Sequence, residues 1–288
     1  MSASITTRSS LSVASVSLDG MQTVKTKLDE DVYFARLRGH LEHEFRLLRA
    51  AITVAEPEEP VPSCPEWTAN QLAHHVAHTY LHKVVAIREG RFPEDWPPAD
   101  VDPSPVGALD EAYAALIECF DEHRPRDAAA TWYGPDQTVG FWIRRMCHET
   151  VVHRVDAELV AGLELAPIPD DIALDGIDEF VTLNLAYYSS EIPKQFADLL
   201  EGADPRPVTI AAGDREWTVT AKPEAVAVGD YLVPDESAYK RNEAARISGD
   251  PGPVLLWLWG RMDERVLRAI GDPALVNQLV ELRKRGTR

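Results

Sequence analysis

Glu149 and His153 stand four residues apart in FWIRRMCHETVVHRVDAELVAG, residues 141–162. The stretch reads as one helix. At about 100° per residue, Trp142, Met146, Glu149, His153 and Val160 share one face, within an arc of roughly 80°. That face is apolar apart from one carboxylate and one imidazole. Side chains at this spacing are neighbours on successive turns, so both can reach a single divalent ion. Unpaired buried carboxylates are costly and rare. The same spacing also suits a hydrogen-bonded Glu149–His153 pair in a core, or a solvated stripe.

His148, Glu149 and His153 come close to the H-E-x-x-H metalloprotease pattern, with one residue too many. Five residues rotate His148 about 140° away from His153, so the two cannot face one ion from a straight helix. Cys147 also points away and reads as core filler. Asp156, about 60° from His153, can orient that imidazole. Its other reading is a surface residue paired with an arginine.

A two-ligand site needs a partner helix. Ala69–Glu89 carries His74, His75, His78 and His82. With Leu72, Val76 and Thr79 marking the inward face, His75 lies about 60° from Leu72 on the same side. His74 and His78 point to the opposite, solvated half, and His82 is the runner-up to His75. Thr68 sits where it can cap the free amides of this helix.

Two further amphipathic stretches complete the N-terminal part. Leu28–Val54 presents Val32, Leu37, Leu41, Phe45, Leu48 and Ile52 as one stripe. Ala108–His123 presents Leu109, Tyr113, Leu116, Ile117 and Phe120. AEPEEPVPSCPEW, 90–105 and 124–140 read as breaks or loops. Four such helices suggest a bundle, and bundle cores commonly hold metal sites built from facing helices. After a boundary at Ala166-Pro-Ile-Pro the pattern changes. Residues 172–200 remain helical. VTIAA, REWTVTA, AVAV and 244–248 read as short strands. VLLWLWGR reads as a buried helix and 276–285 as the closing one. The expected class is α+β, with a mainly antiparallel sheet. The expected division is a disordered tail at 1–27, a bundle at 28–165 and a smaller α+β domain at 166–288.

The 288 residues are 45% hydrophobic and 26% charged, with a net charge of −18. That acidity argues against nucleic acid and anionic membranes as partners. No apolar run approaches the ~20 residues a bilayer requires. Cys64, Cys119 and Cys147 form no C-x-x-C pair, which excludes a zinc ribbon and fits a reducing cytoplasm.

SCPEWTANQLAHHVAH, FWIRRMCHETVVHRVDAE and RISGDPGPVLLWLWGR, in that order, resemble the mycothiol-dependent maleylpyruvate isomerase family. That family is a branch of the DinB-like metal-binding four-helix bundles. The resemblance places the metal ligands on His75, Glu149 and His153, the same residues that the helical faces select. It implies zinc, mycothiol and a smaller sterol-carrier-like C-terminal α/β domain. It also implies a catalytic arginine from that domain, for which Arg261 is the match; otherwise Arg261 simply caps a helix end.

Three protein ligands leave zinc an open position. There a thiol would lose its proton and add to an electrophilic carbon. Expelling the thiolate after rotation makes an isomerase; releasing the adduct makes a transferase. Arg261 would hold a substrate carboxylate. The rivals are a hydrolase using zinc-bound water, for which no general base stands out, and a non-enzymatic metal- or thiol-binding protein.

Overall fold

The structure, a computed structural model, describes residues 27–98, 103–232 and 244–287. The expected N-terminal tail lies outside the described residues, except for Lys27. Four helices form the N-terminal part: α1 (Lys27–Val54), α2 (Ala69–Glu89), α3 (Pro105–Glu122) and α4 (Val139–Val160). Helix α4 packs against α1 and α2, and α3 against α2. The α1 stripe holds for Leu37, Leu41, Phe45, Leu48 and Ile52, all buried, but Val32 is exposed. Five residues separate Val32 from Leu37, which turns it about 140° off the stripe.

The break between α1 and α2 is more ordered than its prolines suggest. Pro60–Val61 (β1) and Cys64–Thr68 (β2) pair as a small antiparallel hairpin. Helix α2 ends at Gly90, whose φ of 65° is the left-handed conformation that glycine adopts without a side-chain clash. The following segment then folds back, and Phe92 and Trp96 pack on His82. Trp96 also lies against His78, and both His74 and His78 are half-buried rather than solvated.

Beyond α4 the chain forms α5 (Asp170–Glu179), a π-helical stretch (Phe180–Tyr187), α6 (Tyr188–Glu191) and α7 (Pro193–Leu200). Five strands follow: β3 (Val208–Ala212), β4 (Arg215–Ala221), β5 (Val226–Leu232), β6 (Ala245–Gly249) and β7 (Arg268–Gly271). Their order is β5-β4-β3-β6-β7. Three pairings are antiparallel, whereas β3 and β6 run parallel, with Ile210 opposite Ile247. Strand β7 has no apolar alternation and is exposed along its length, so the sequence pattern missed it. Helices α8 (Pro251–Leu258) and α9 (Pro273–Gly286) complete the part. The class is α+β, as expected.

Helix α4 is buried nearly all round, not along one stripe. The bundle covers one side. On another, Asp175 of α5 takes His148 Nε2 at 2.7 Å and Arg144 Nε at 2.7 Å. One helix thus faces both parts of the molecule. Among the described residues no helix is long and apolar enough to cross a membrane.

Candidate metal centre

Strand β2 runs directly into α2 through Thr68, and this junction sets His75. The Thr68 hydroxyl accepts from the Gln71 amide at 3.3 Å, and the Gln71 side chain accepts from the Thr68 amide at 2.9 Å. Such a reciprocal cap satisfies free amides and fixes where the helix begins. Two turns on, His75 meets α4. Trp67 of β2 packs over it with ring centroids 4.4 Å apart.

Glu149 Oε1 lies 3.4 Å from His75 Nε2 and 3.1 Å from His153 Nε2. One ligand atom from each of the three residues falls within 4.8 Å of the others. Among the described residues this is the one group of histidine, cysteine, aspartate or glutamate side chains spaced to hold an ion. The His75 side chain is 36% exposed, Glu149 12% and His153 9%. The site is therefore enclosed on the α4 side and reached from the α2 side.

Two of the three candidate ligands, Glu149 and His153, have a supporting partner on α4. Burial pushes the Glu149 carboxyl up, but the Arg145 guanidinium and then His153 outweigh it and hold the group well below the ordinary range. Arg145 pairs with Glu149 Oε2, donates to Glu179 Oε2 at 3.1 Å and lies 5.6 Å over the Trp259 ring. Oε1 is thereby left facing the imidazoles. Asp156 Oδ2 lies 2.9 Å from His153 Nδ1. An ionised carboxylate only accepts, so Nδ1 carries the proton and donates. Asp156 is fully buried. Burial raises its carboxyl, yet the His153 and Arg261 hydrogen bonds prevail and hold it ionised.

Arg261, just past α8, joins the two parts of the molecule. Its Nε and Nη2 donate to the two Asp156 oxygens at 2.9 and 2.8 Å. Nη1 donates to the Trp259 carbonyl at 2.6 Å, and Nη2 lies 3.3 Å from Cys64 Sγ. Arg261 thus does satisfy a carbonyl at a helix end, but its paired edge is spent on Asp156. The bidentate grip on a substrate carboxylate expected from the sequence is not open to it in this arrangement.

These residues fit zinc. Two imidazole nitrogens and one carboxylate oxygen form a familiar donor set for catalytic zinc. The Asp156–His153 hydrogen bond is the kind that fixes a ligand's tautomer and leaves Nε2 for the ion. His75, Glu149, His153 and Arg261, the residues singled out from the sequence, line one cavity of about 510 Å³, with Trp67 and Trp259 as walls. His82 lies away from it among aromatic rings. Sequence reasoning missed Arg145 and Trp67. Arg145 stands four residues before Glu149, a spacing that does signal an ion pair on a helix. Trp67 lay in a segment read as a break.

Residues 38–158 match the family model described as the mycothiol maleylpyruvate isomerase N-terminal domain. Over 82% of its length the chain is similar in fold to the crystal structure of the mycothiol-dependent maleylpyruvate isomerase, at 14% identity and a TM-score of 0.52, covering 92% of that chain. A histidine-to-alanine mutant of the same isomerase gives the same figures. No curated protein matches the sequence. Residues 38–158 are thus similar to that N-terminal domain, and they are followed by a C-terminal part with a mixed five-stranded sheet.

Proposed function

We propose that this protein is a zinc- and thiol-dependent enzyme. It joins a low-molecular-weight thiol, mycothiol in its family, to an electrophilic carbon of a small molecule, as an isomerase or a transferase. The observation that supports this is the convergence of His75 Nε2, Glu149 Oε1 and His153 Nε2 at the edge of a cavity large enough for a small ligand. An ion bound there supplies a Lewis acid that favours thiolate over thiol at neutral pH.

The chain's own residues prepare that chemistry. Arg145 keeps Glu149 ionised and aimed. Asp156 keeps the His153 proton on Nδ1. Arg261 holds Asp156 and brings the C-terminal domain over the cavity. Trp67 and Trp259 wall the space and limit water.

Elemental analysis of the purified full-length protein is expected to find zinc in stoichiometric amount. His75→Ala, Glu149→Ala and His153→Ala should each lose it while far-ultraviolet circular dichroism keeps its helical signal. Stoichiometric zinc in all three variants would overturn the assignment. A thiol-dependence assay tests the chemistry. Turnover of an electrophile only with mycothiol supports the reading. Turnover without thiol would make the protein a hydrolase, and thiol binding without any turnover a binder.

A further inference from the structure

The cavity beside the candidate metal centre has a charge balance that bears on what it accepts. Its lining contains two carboxylates, Glu66 and Glu149, and one guanidinium, Arg261. Directly behind the lining stand Asp156 and Arg145. Both guanidiniums are already committed to carboxylates: Arg261 to Asp156 with two hydrogen bonds, and Arg145 to Glu149 and Glu179. Of the five Arg261 N–H groups, Asp156 takes two, the Trp259 carbonyl one and Cys64 Sγ another. A single N–H on Nη1 remains, and that cannot make the two-point grip that binds a carboxylate well.

Four carboxylates, Glu66, Glu149, Asp156 and Glu179, thus stand against two guanidiniums. A divalent ion together with one thiolate still leaves this group with no surplus positive charge. No cation in the described lining is then left to balance an anionic substrate. A carboxylate brought into such a space would lose hydration without gaining a partner. The long-range field of a chain with a net charge of −18 also repels anions. Among the other lining residues, which include Ser63, Cys64 and Thr287, the walls Trp67, Trp259 and Val152 suit flat apolar matter.

We infer that the electrophile of this site is an uncharged conjugated molecule, not a carboxylate-bearing one. The inference rests on the thiol-dependent reading above and narrows its substrate class. In the reaction the thiolate sulfur bonds to one carbon of a conjugated double bond. The π electrons move onto the activating carbonyl. Rotation and return of those electrons expel the thiolate, or a proton from water completes the adduct.

The test uses the zinc-loaded full-length protein with mycothiol and a matched pair of electrophiles, dimethyl maleate and maleate. Each catalysed rate is divided by its own uncatalysed rate. Dimethyl maleate should show an acceleration at least about tenfold the larger. Equilibrium dialysis without thiol, using dimethyl fumarate and fumarate, should show the same preference in binding alone. Glu66 is exposed at the rim, so Glu66→Lys should fold normally, add a free cation and narrow the preference severalfold. Equal or greater acceleration of maleate would overturn the inference while leaving the thiol-dependent reading standing. Acceleration of neither compound would overturn that reading, and the inference with it.

Discussion

Helix α4 carries two buried charged clusters on different faces, and they differ in one physical respect. Around Arg154 the cluster is closed. Arg154 and Glu44 are both fully buried; Arg154 Nε donates to Glu44 at 2.7 Å, and Nη1 to Glu158 at 2.7 Å and to the Ala166 carbonyl at 2.9 Å. Around Glu149 and His153 the cluster opens onto a cavity, with two ring nitrogens aimed at one carboxylate oxygen. Buried charge alone therefore does not mark a functional site. Buried charge costs desolvation wherever it occurs. What separates the two clusters is convergence of metal-ligating atoms beside space for a ligand.

The largest expected effect tests the closed cluster. Arg154→Met leaves Glu44 and Glu158 buried without their cation, which should cost about 3–5 kcal/mol of stability. Denaturant unfolding measures it, and the surviving folded fraction should still bind zinc. A variant that keeps its stability but loses zinc would erase the distinction between the clusters.

Asp156→Asn makes the complementary change at the open cluster. The amide cannot restore both the His153 tautomer and the Arg261 pair. Zinc affinity should fall by about 10–100-fold, measured by chelator competition, with a smaller loss of stability than Arg154→Met produces.

A third charged cluster, where Arg144 and His148 of α4 meet Asp175 of α5, sharpens the comparison through pH. Burial alone would raise the Asp175 carboxyl, but Arg144 and then His148 outweigh it and hold it well below the ordinary carboxylate range. A lowered folded-state pKa contributes stability that is present above the unfolded value and is lost as pH falls through the folded value. Stability should therefore decline below about pH 4. Asp175→Asn should lower stability at neutral pH by about 2 kcal/mol and flatten that acid limb. An unchanged acid limb would remove Asp175 from this role.

The smallest effect concerns the cap beneath the site. Thr68→Ala should cost about 1 kcal/mol, seen as a lower melting temperature. Zinc stoichiometry should stay intact, because packing of α2 against α3 and α4 keeps His75 in place.

Much of this was legible in the chain. The i and i+4 spacing of Glu149 and His153, and the placement of His75 beside Leu72 and Val76, depend only on helical geometry. The strands VTIAA and REWTVTA showed their alternation. The β1–β2 hairpin did not, because prolines and carboxylates mask so short a pairing. Val32 was included in a stripe that its spacing does not support. Asp156 had two readings, orienting residue or surface ion pair. Its burial against His153 could not be decided from α4 alone, since Arg261 arrives from 105 residues further on.

Local periodicity and cap chemistry thus determined which helices form and which side chains share a face, because these depend on neighbours along the chain. The tertiary structure alone decided which charges are closed off and which open to a cavity. It also decided that Arg261 spends its paired edge on Asp156. Those outcomes depend on where distant segments come to rest, and on the desolvation and pairing that follow when they meet.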